Sequence, residues 1–287
     1  MVSKTRIARR HFLSTTLALG AALRFPAGVQ AAESTHKNGL CRLSAEQEVG
    51  PYYIADELLR SDITEGRAGV PLLLNIALVD ARRCLPLANA IVDIWHCDAL
   101  GIYSGFTKQS AFPPGPPPSG AFGPPPGAGD LHGPLSPPPP SPPTDRLTFL
   151  RGVQRSDAHG NVVFQTIFPG FYPGRTNHIH FKVRVAGSAG DGSRKGEHVS
   201  HVGQIFFPEK QTVALMQDRP YRDHRIQRTA LADDEVFLGQ QGATSIARLQ
   251  AVDSSTASKG LRAQIIAVVD PESEPVAARR SGDAFHG

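Results

Sequence analysis

Apolar and polar residues alternate in short runs along most of this chain, and Gly, Pro, Asp and Asn separate the runs. Residues 70–79 read as a buried strand, rich in aliphatic side chains. Residues 90–97, 162–168, 178–185 and 202–207 follow the same style, and 248–252 and 261–269 close the series. Helical periodicity is scarce, and 210–217 is its best candidate. Many short strands with turn residues between them predict a mostly β fold. The expected form is an antiparallel β-sandwich of immunoglobulin or transthyretin-like topology, with long loops and little helix. In the run from residue 178, Ile179, Phe181, Val183 and Val185 share one face and are expected in the core. His178 and His180 share the other.

Three stretches depart from the pattern. Residues 109–144 are dominated by Pro, Gly and Ser, with four consecutive prolines at 137–140, and are expected to be a surface insertion. Residues 187–196 read as a second loop, and 271–287 as a frayed tail. At the start, Arg9 and Arg10 precede Phe12 and Leu13, a small apolar run follows, and Val29-Gln30-Ala31 offers a cleavage site. That order is a twin-arginine export signal over 1–32. Its apolar part is too short and interrupted to persist as a membrane span, so a periplasmic or extracellular protein with no span after processing is expected. The remaining division is an N-terminal arm at 33–68 and the sandwich domain at 69–270, which carries the insertion.

Composition changes this picture little. The 287 residues are 40% hydrophobic and 20% charged, ordinary for a globular domain. The net charge of +4 is mild, and no Lys/Arg cluster interleaved with aromatics suggests nucleic acid. The three cysteines, Cys41, Cys84 and Cys97, leave at least one without an intrachain partner. If 87–97 is extended, at ~3.3 Å per residue, Cys84 and Cys97 cannot bridge. Cys41 can pair with either, and the spacings do not suit a zinc site.

The chemistry concentrates in 168–181, where Tyr172, Arg175, His178 and His180 lie within nine residues. Two imidazoles on one strand face can grip a metal, and a phenolate is a hard donor suited to Fe(III). A second candidate follows residues 90–97, where a turn through Gly101 presents Tyr103. Trp95 is expected to be a core residue. His96, His159, His198 and His201 are expected at the surface or behind the site rather than as ligands.

With these residues in place the chain resembles the intradiol ring-cleavage dioxygenases, the non-haem Fe(III) enzymes related to protocatechuate 3,4-dioxygenase and catechol 1,2-dioxygenase, and in particular their exported members. The likeness rests on Trp-x-x-x-x-x-Gly-x-Tyr ending at Tyr103, Pro-Gly-x-Tyr ending at Tyr172, and Arg-x-x-His-x-His from Arg175 to His180. It also takes in Gln204 and the arm element Gly50-Pro51-Tyr52-Tyr53. It implies Tyr103, Tyr172, His178 and His180 as iron ligands, with Tyr172 the one displaced by substrate. It implies Arg175 as the charge-stabilising group, Gln204 as its orienting partner, and Pro51, Tyr52 and Tyr53 as pocket lining. If the arm is extended, only one of the two tyrosines can face the pocket. The implied partners are a small catechol-type aromatic and O2, and the product a cis,cis-muconate-type diacid. No residue pattern selects one catechol or an oligomeric state. Two other readings stand beside this one. The first is a non-catalytic exported β-sandwich binding module. The second is a 2-His-1-carboxylate oxygenase drawing on Asp98 or Glu197.

Overall fold

The first apolar run becomes a ten-residue strand, β1 (Pro71–Asp80), which buries Leu72, Leu74, Ile76 and Leu78 on one face. The structure is a computed structural model that describes residues 41–55, 58–108, 141–186, 197–252 and 259–275. The remaining strands are β2 (Leu85–Pro86), β3 (Ile91–Trp95), β4 (Arg151–Arg155), β5 (Asn161–Ile167), β6 (His178–Ala186), β7 (Glu197–Phe206), β8 (Arg248–Ala251) and β9 (Leu261–Val269). Two short helices, α1 (Glu209–Leu215) and α2 (Glu235–Gly239), lie between β7 and β8.

The strands form two sheets. One has the order β2-β1-β9-β8, with β5 also paired to β1, and the other the order β4-β3-β6-β7. Every pairing is antiparallel except β1 with β9, which run parallel. Leu72, Leu74, Ile76, Val162, Phe164 and Ala263 from the first sheet meet Val92, Ile94, Ile179, Phe181, Val183 and Ile205 from the second in one core. The mostly β sandwich expected from the alternation is therefore present. The period-2 pattern drives it, because burial of one face fixes which residues point inward.

The differences from expectation have local causes. β4 was not anticipated: its sequence Arg-Gly-Val-Gln-Arg has only Val153 as an apolar residue, and its extended form comes from backbone pairing with β3. β7 begins at Glu197 rather than 202, because residues 197–201, polar apart from Val199, pair with the end of β6. The arm is more than a polar tether. Residues 58–63 run beside β4 and β5, with Leu59 bridged to Val153, Asp62 bridged to Gln165 and Ile63 fully buried. The expected signal segment 1–32, the expected insertion up to residue 140, the expected loop 187–196 and the expected tail beyond 275 lie outside the described residues. Among the described residues no helix is long and apolar enough to cross a membrane.

Of the two pairings open to Cys41, the structure has Cys41–Cys84, with Cα atoms 5.5 Å apart. Cys97 is free and buried. The bond fastens the start of the arm to the turn after β1. Ser44, whose N–H donates to the Val268 carbonyl, and Gln47, whose N–H donates to Val202, then carry the arm across both sheets.

Candidate functional site

The outward face of the β4-β3-β6-β7 sheet is covered by the arm and by the segment around α2. Register places Trp95, His180 and Gln204 side by side across β3, β6 and β7, with His178 opposite Phe206 one pleat away. Both histidines are buried, as are Trp95 and Gln204. Trp95 therefore departs from expectation: it is buried, but in a separate small cluster with Cys97, Tyr103 and Phe106 rather than between the sheets. A residue in β3 points outward when Val92 and Ile94 point inward, and the alternation dictates it.

Two turns deliver the tyrosines. In the first, the Asp98 carboxylate accepts from the N–H groups of Leu100 and Ile102, at 2.9 and 3.0 Å, and pairs with Arg67. The turn ends at Tyr103, which is buried. The second is a tight turn over Tyr172-Pro173-Gly174-Arg175, closed by Arg175 N–H donating to the Tyr172 carbonyl at 3.1 Å. Gly174 has φ +79°, which suits the third position of such a turn after a proline. The result sets the Tyr172 phenol and the Arg175 guanidinium side by side, with Arg175 Nη1 donating to the Tyr172 hydroxyl at 3.3 Å.

Polar atoms of these side chains converge. Tyr172 Oη is 3.4 Å from His178 Nε2, and His178 Nε2 is 3.1 Å from His180 Nε2. The Tyr103 ring lies 5.8 Å from that of Tyr172 and 6.5 Å from that of His180. His178 Nδ1 donates to the Thr176 carbonyl at 2.7 Å, which leaves its Nε2 as a bare lone pair aimed at the group. Burial, with Arg175 nearby, pushes both imidazoles well below their usual range, so both are neutral donors. Burial pushes both phenols up. The Tyr103 hydroxyl is buried with no hydrogen-bond partner among the described residues.

This donor set fits a metal ion. Two nitrogens at a right angle on bonds of ~2.1 Å stand about 3.0 Å apart, close to the spacing of the two Nε2 atoms. The orphaned phenol of Tyr103 is otherwise a cost with no return. Phenols held this high ionise only against a strong cation, so loading would release protons. Hard anionic oxygens alongside imidazoles suit a trivalent, hard ion. Among the described residues no cluster of three His, Cys, Asp or Glu could hold a metal. Asp98 is committed to its turn and to Arg67, and Glu197 pairs with Arg184 at the other end of β6. Neither supplies a carboxylate to the two histidines.

The supporting residues are largely ones that sequence reasoning missed. Arg175 Nε donates to both oxygens of the buried Asp234, at 3.2 and 3.0 Å. The same carboxylate accepts from Thr176 N–H at 2.8 Å and caps α2 through Phe237 N–H at 2.9 Å. An aspartate before a short helical run is a readable cap signal, but its reach to Arg175 is not. Arg175 Nη2 also donates to Gln204 Oε1, Gln204 Nε2 donates to the Glu48 carbonyl, and Gln204 N–H donates to Gln47 Oε1.

In the arm, Tyr52 stacks on Tyr103 at 4.6 Å and meets Tyr172 edge-on at 5.9 Å. Tyr53 turns the other way, its hydroxyl donating to Asp93 at 2.9 Å and its ring 4.8 Å from Trp95. Only one tyrosine faces the donors, although the arm turns at Pro51 and Tyr52 rather than running extended there. Pro51 is half-buried and its carbonyl accepts from Ser141 N–H. Of the other histidines, His159 is exposed and His198 half-buried, whereas His96 and His201 are buried. His96 lies between the Cys97 carbonyl and the Thr166 hydroxyl, at 2.8 and 2.7 Å.

No protein-family model matches the chain, and no curated protein does. Solved structures do. An intradiol ring-cleavage dioxygenase from Tetranychus urticae is 31% identical, with a TM-score of 0.65, over 83% of this chain and 98% of that one. The dioxygenase domain of a dioxygenase–carbohydrate-binding protein fusion from Streptomyces sp. SirexAA-E is 22% identical, with a TM-score of 0.47, over 80% of this chain and 99% of that one. A hydroxyquinol 1,2-dioxygenase from Pseudomonas putida DLL-E4 is 18% identical, with a TM-score of 0.45, over 83% and 69%. The last two are too distant to add to the argument.

Proposed function

Because the chain belongs to the intradiol ring-cleavage dioxygenase family, we propose that it holds non-haem Fe(III) with Tyr103, Tyr172, His178 and His180. On this reading it cleaves a catechol-type aromatic with O2, giving a cis,cis-muconate-type diacid. Family membership sets aside a non-catalytic binding module. The observation that carries the iron assignment is the convergence of Tyr172 Oη and the two Nε2 atoms within 3.4 and 3.1 Å, beside the unpartnered Tyr103 hydroxyl.

Ferric iron bound there would act as a Lewis acid toward the two ring oxygens and open the ring to dioxygen. The chain's own residues do the rest. Tyr172 Oη, ionised when the metal is bound, takes a proton from a substrate hydroxyl. Arg175, pinned by Asp234 and Gln204, presents a fixed positive charge to negative charge that develops on the ring. Tyr52 closes the site from the arm side and keeps water from the Tyr103 phenol. The reading also places the protein outside the cytoplasm, supported by the twin-arginine segment and by a disulfide of the kind that persists in oxidising compartments.

The test combines metal analysis and the visible spectrum of iron-loaded protein with oxygen uptake on a panel of substituted catechols and product identification. Stoichiometric iron, a phenolate-to-iron colour and a ring-opened diacid are expected. A colourless iron-loaded protein overturns the reading, as does a Tyr172→Phe variant with unchanged spectrum and activity.

A further inference from the structure

The two histidines are oriented by different means. His178 has its second ring nitrogen fixed by the Thr176 carbonyl. His180 does not: its Nδ1 is buried with no hydrogen-bond partner among the described residues. A metal-binding imidazole ordinarily donates its other N–H to a carboxylate, carbonyl or water, and that bond sets the ring plane. His180 lacks it, yet its Nε2 points accurately at His178 Nε2.

What contacts the His180 ring is aromatic. Trp95, its partner in the β3–β6 register, lies parallel to it at 5.0 Å with an interplanar angle of 5°. On another side Gly50 presses close, and a Cβ there would stand 3.0 Å from His180 Cε1. Trp95 is itself braced rather than bonded, since its Nε1 has no partner among the described residues. Its neighbour is Tyr53, with ring centroids 4.8 Å apart. Tyr53 in turn is held by Asp93 at its hydroxyl and by Lys182 Nζ 3.4 Å above its ring. Asp93, Tyr53 and Trp95 thus form a chain of contacts that ends on His180, with the Tyr53 and Trp95 rings tilted at 60°.

We infer that Trp95 is the positioning residue for His180, setting the imidazole plane by face-to-face packing where a hydrogen bond is missing, with Tyr53 as its brace. The inference rests on the iron-site reading above. The contact also favours the loaded state: an imidazole bound to a cation carries positive character, and the indole face attracts positive charge within about 6 Å. The stack is therefore stronger with metal bound than without it.

The test is ferric affinity, measured by competition with a chelator on the full-length protein, together with the position of the visible band. Trp95→Leu removes the aromatic face and is expected to weaken iron binding by roughly 10–100-fold, the range for loss of a ligand-orienting group, and to move the band. Trp95→Phe restores a ring and is expected to recover most of both. A Trp95→Leu protein that binds iron within twofold of the parent, with an unmoved band, overturns the inference. Should Trp95→Leu fail to fold, Tyr53→Leu decides: a weaker affinity and a band moved from the parent's uphold it, and no change in either overturns it. Absence of iron binding by the parent protein would overturn the iron-site reading itself, so the two failures are distinguishable.

Discussion

Cutting the Cys41–Cys84 bond should cost much of the molecule's stability while leaving the folded site nearly intact. The bond closes a loop with a sequence separation of 43 residues. On the chain-entropy account, a cross-link over ~43 residues removes about 13 cal/mol/K from the unfolded chain, or about 4 kcal/mol at 25 °C. In the native state the arm keeps other holds. Ser44 exchanges bonds with Val268 through both its N–H and its hydroxyl, each 2.9 Å, and Gln47 ties to Val202, Gln204, Gln240 and Ser245. The loss should therefore appear through the unfolded chain rather than through broken contacts.

The variant is Cys41→Ser, which leaves Cys84 in place at its φ of +53° and does not disturb the turn after β1. Urea denaturation followed by circular dichroism reads the result. With a slope of ~3 kcal/mol/M, a loss of about 4 kcal/mol moves the midpoint down by about 1.3 M. Reductant should do the same to the parent and nothing to the variant, since the variant no longer contains the bond that reductant cuts and Cys97 is buried and already free. A variant midpoint within about 0.3 M of the parent would refute the reasoning, because the arm would then be fixed without its covalent tie. So would a reductant effect of equal size on parent and variant.

Four further outcomes follow. Asp234→Ala leaves Arg175 Nε and two backbone N–H groups without their buried acceptor, so about 3–5 kcal/mol of stability should go, as thermal denaturation will show. Asp234→Asn keeps one of the two backbone bonds, since Thr176 and Phe237 donate to different carboxylate oxygens, and removes the charge beside Arg175; it should cost less stability than Asp234→Ala and lower kcat at least roughly tenfold with a smaller change in KM, in steady-state oxygen uptake. Tyr103→Phe removes a buried, unpartnered hydroxyl, so the iron-free protein should gain roughly 1–2 kcal/mol in denaturation while iron affinity falls. Burial lowers the His201 pKa to about 4 from 6.5. Above pH 6.5 the group is neutral folded and unfolded; between 6.5 and 4 the unfolded chain binds a proton that the folded chain refuses, so stability falls as pH falls. His201→Leu should flatten that limb by up to about 3 kcal/mol between pH 7 and pH 4, and an unchanged limb would refute the assignment.

The residues proposed for the chemistry were legible because their types are unusual where they stand. Two imidazoles two apart in an aliphatic run announce a face that is not core, since the strand period assigns Ile179 and Phe181 to the other side. The Pro173-Gly174 pair announces a turn, and a turn makes neighbours of Tyr172 and Arg175. Those signals are local. What was not legible depends on register or on a distant loop. Trp95 meets His180 only because β3 pairs with β6 at that alignment, and a slip of one residue would turn it to the other face. Asp234 reaches Arg175 across 59 residues of chain, through β6, β7, α1 and a connecting segment whose path no periodicity records. β4 was invisible for the same reason, its extended form imposed by β3 rather than by its own polar residues. Tryptophan and aspartate also have ordinary packing roles in any sandwich, so their types carry little warning, whereas Gln204 was marked by the resemblance and does meet Arg175. It follows that a chain with the same four donors but another residue at 234 would read identically at the level of motif, and one changed at 95 would lose only the first position of the motif that ends at Tyr103. Its iron affinity and its turnover are expected to differ, and the difference would lie in the orienting layer alone.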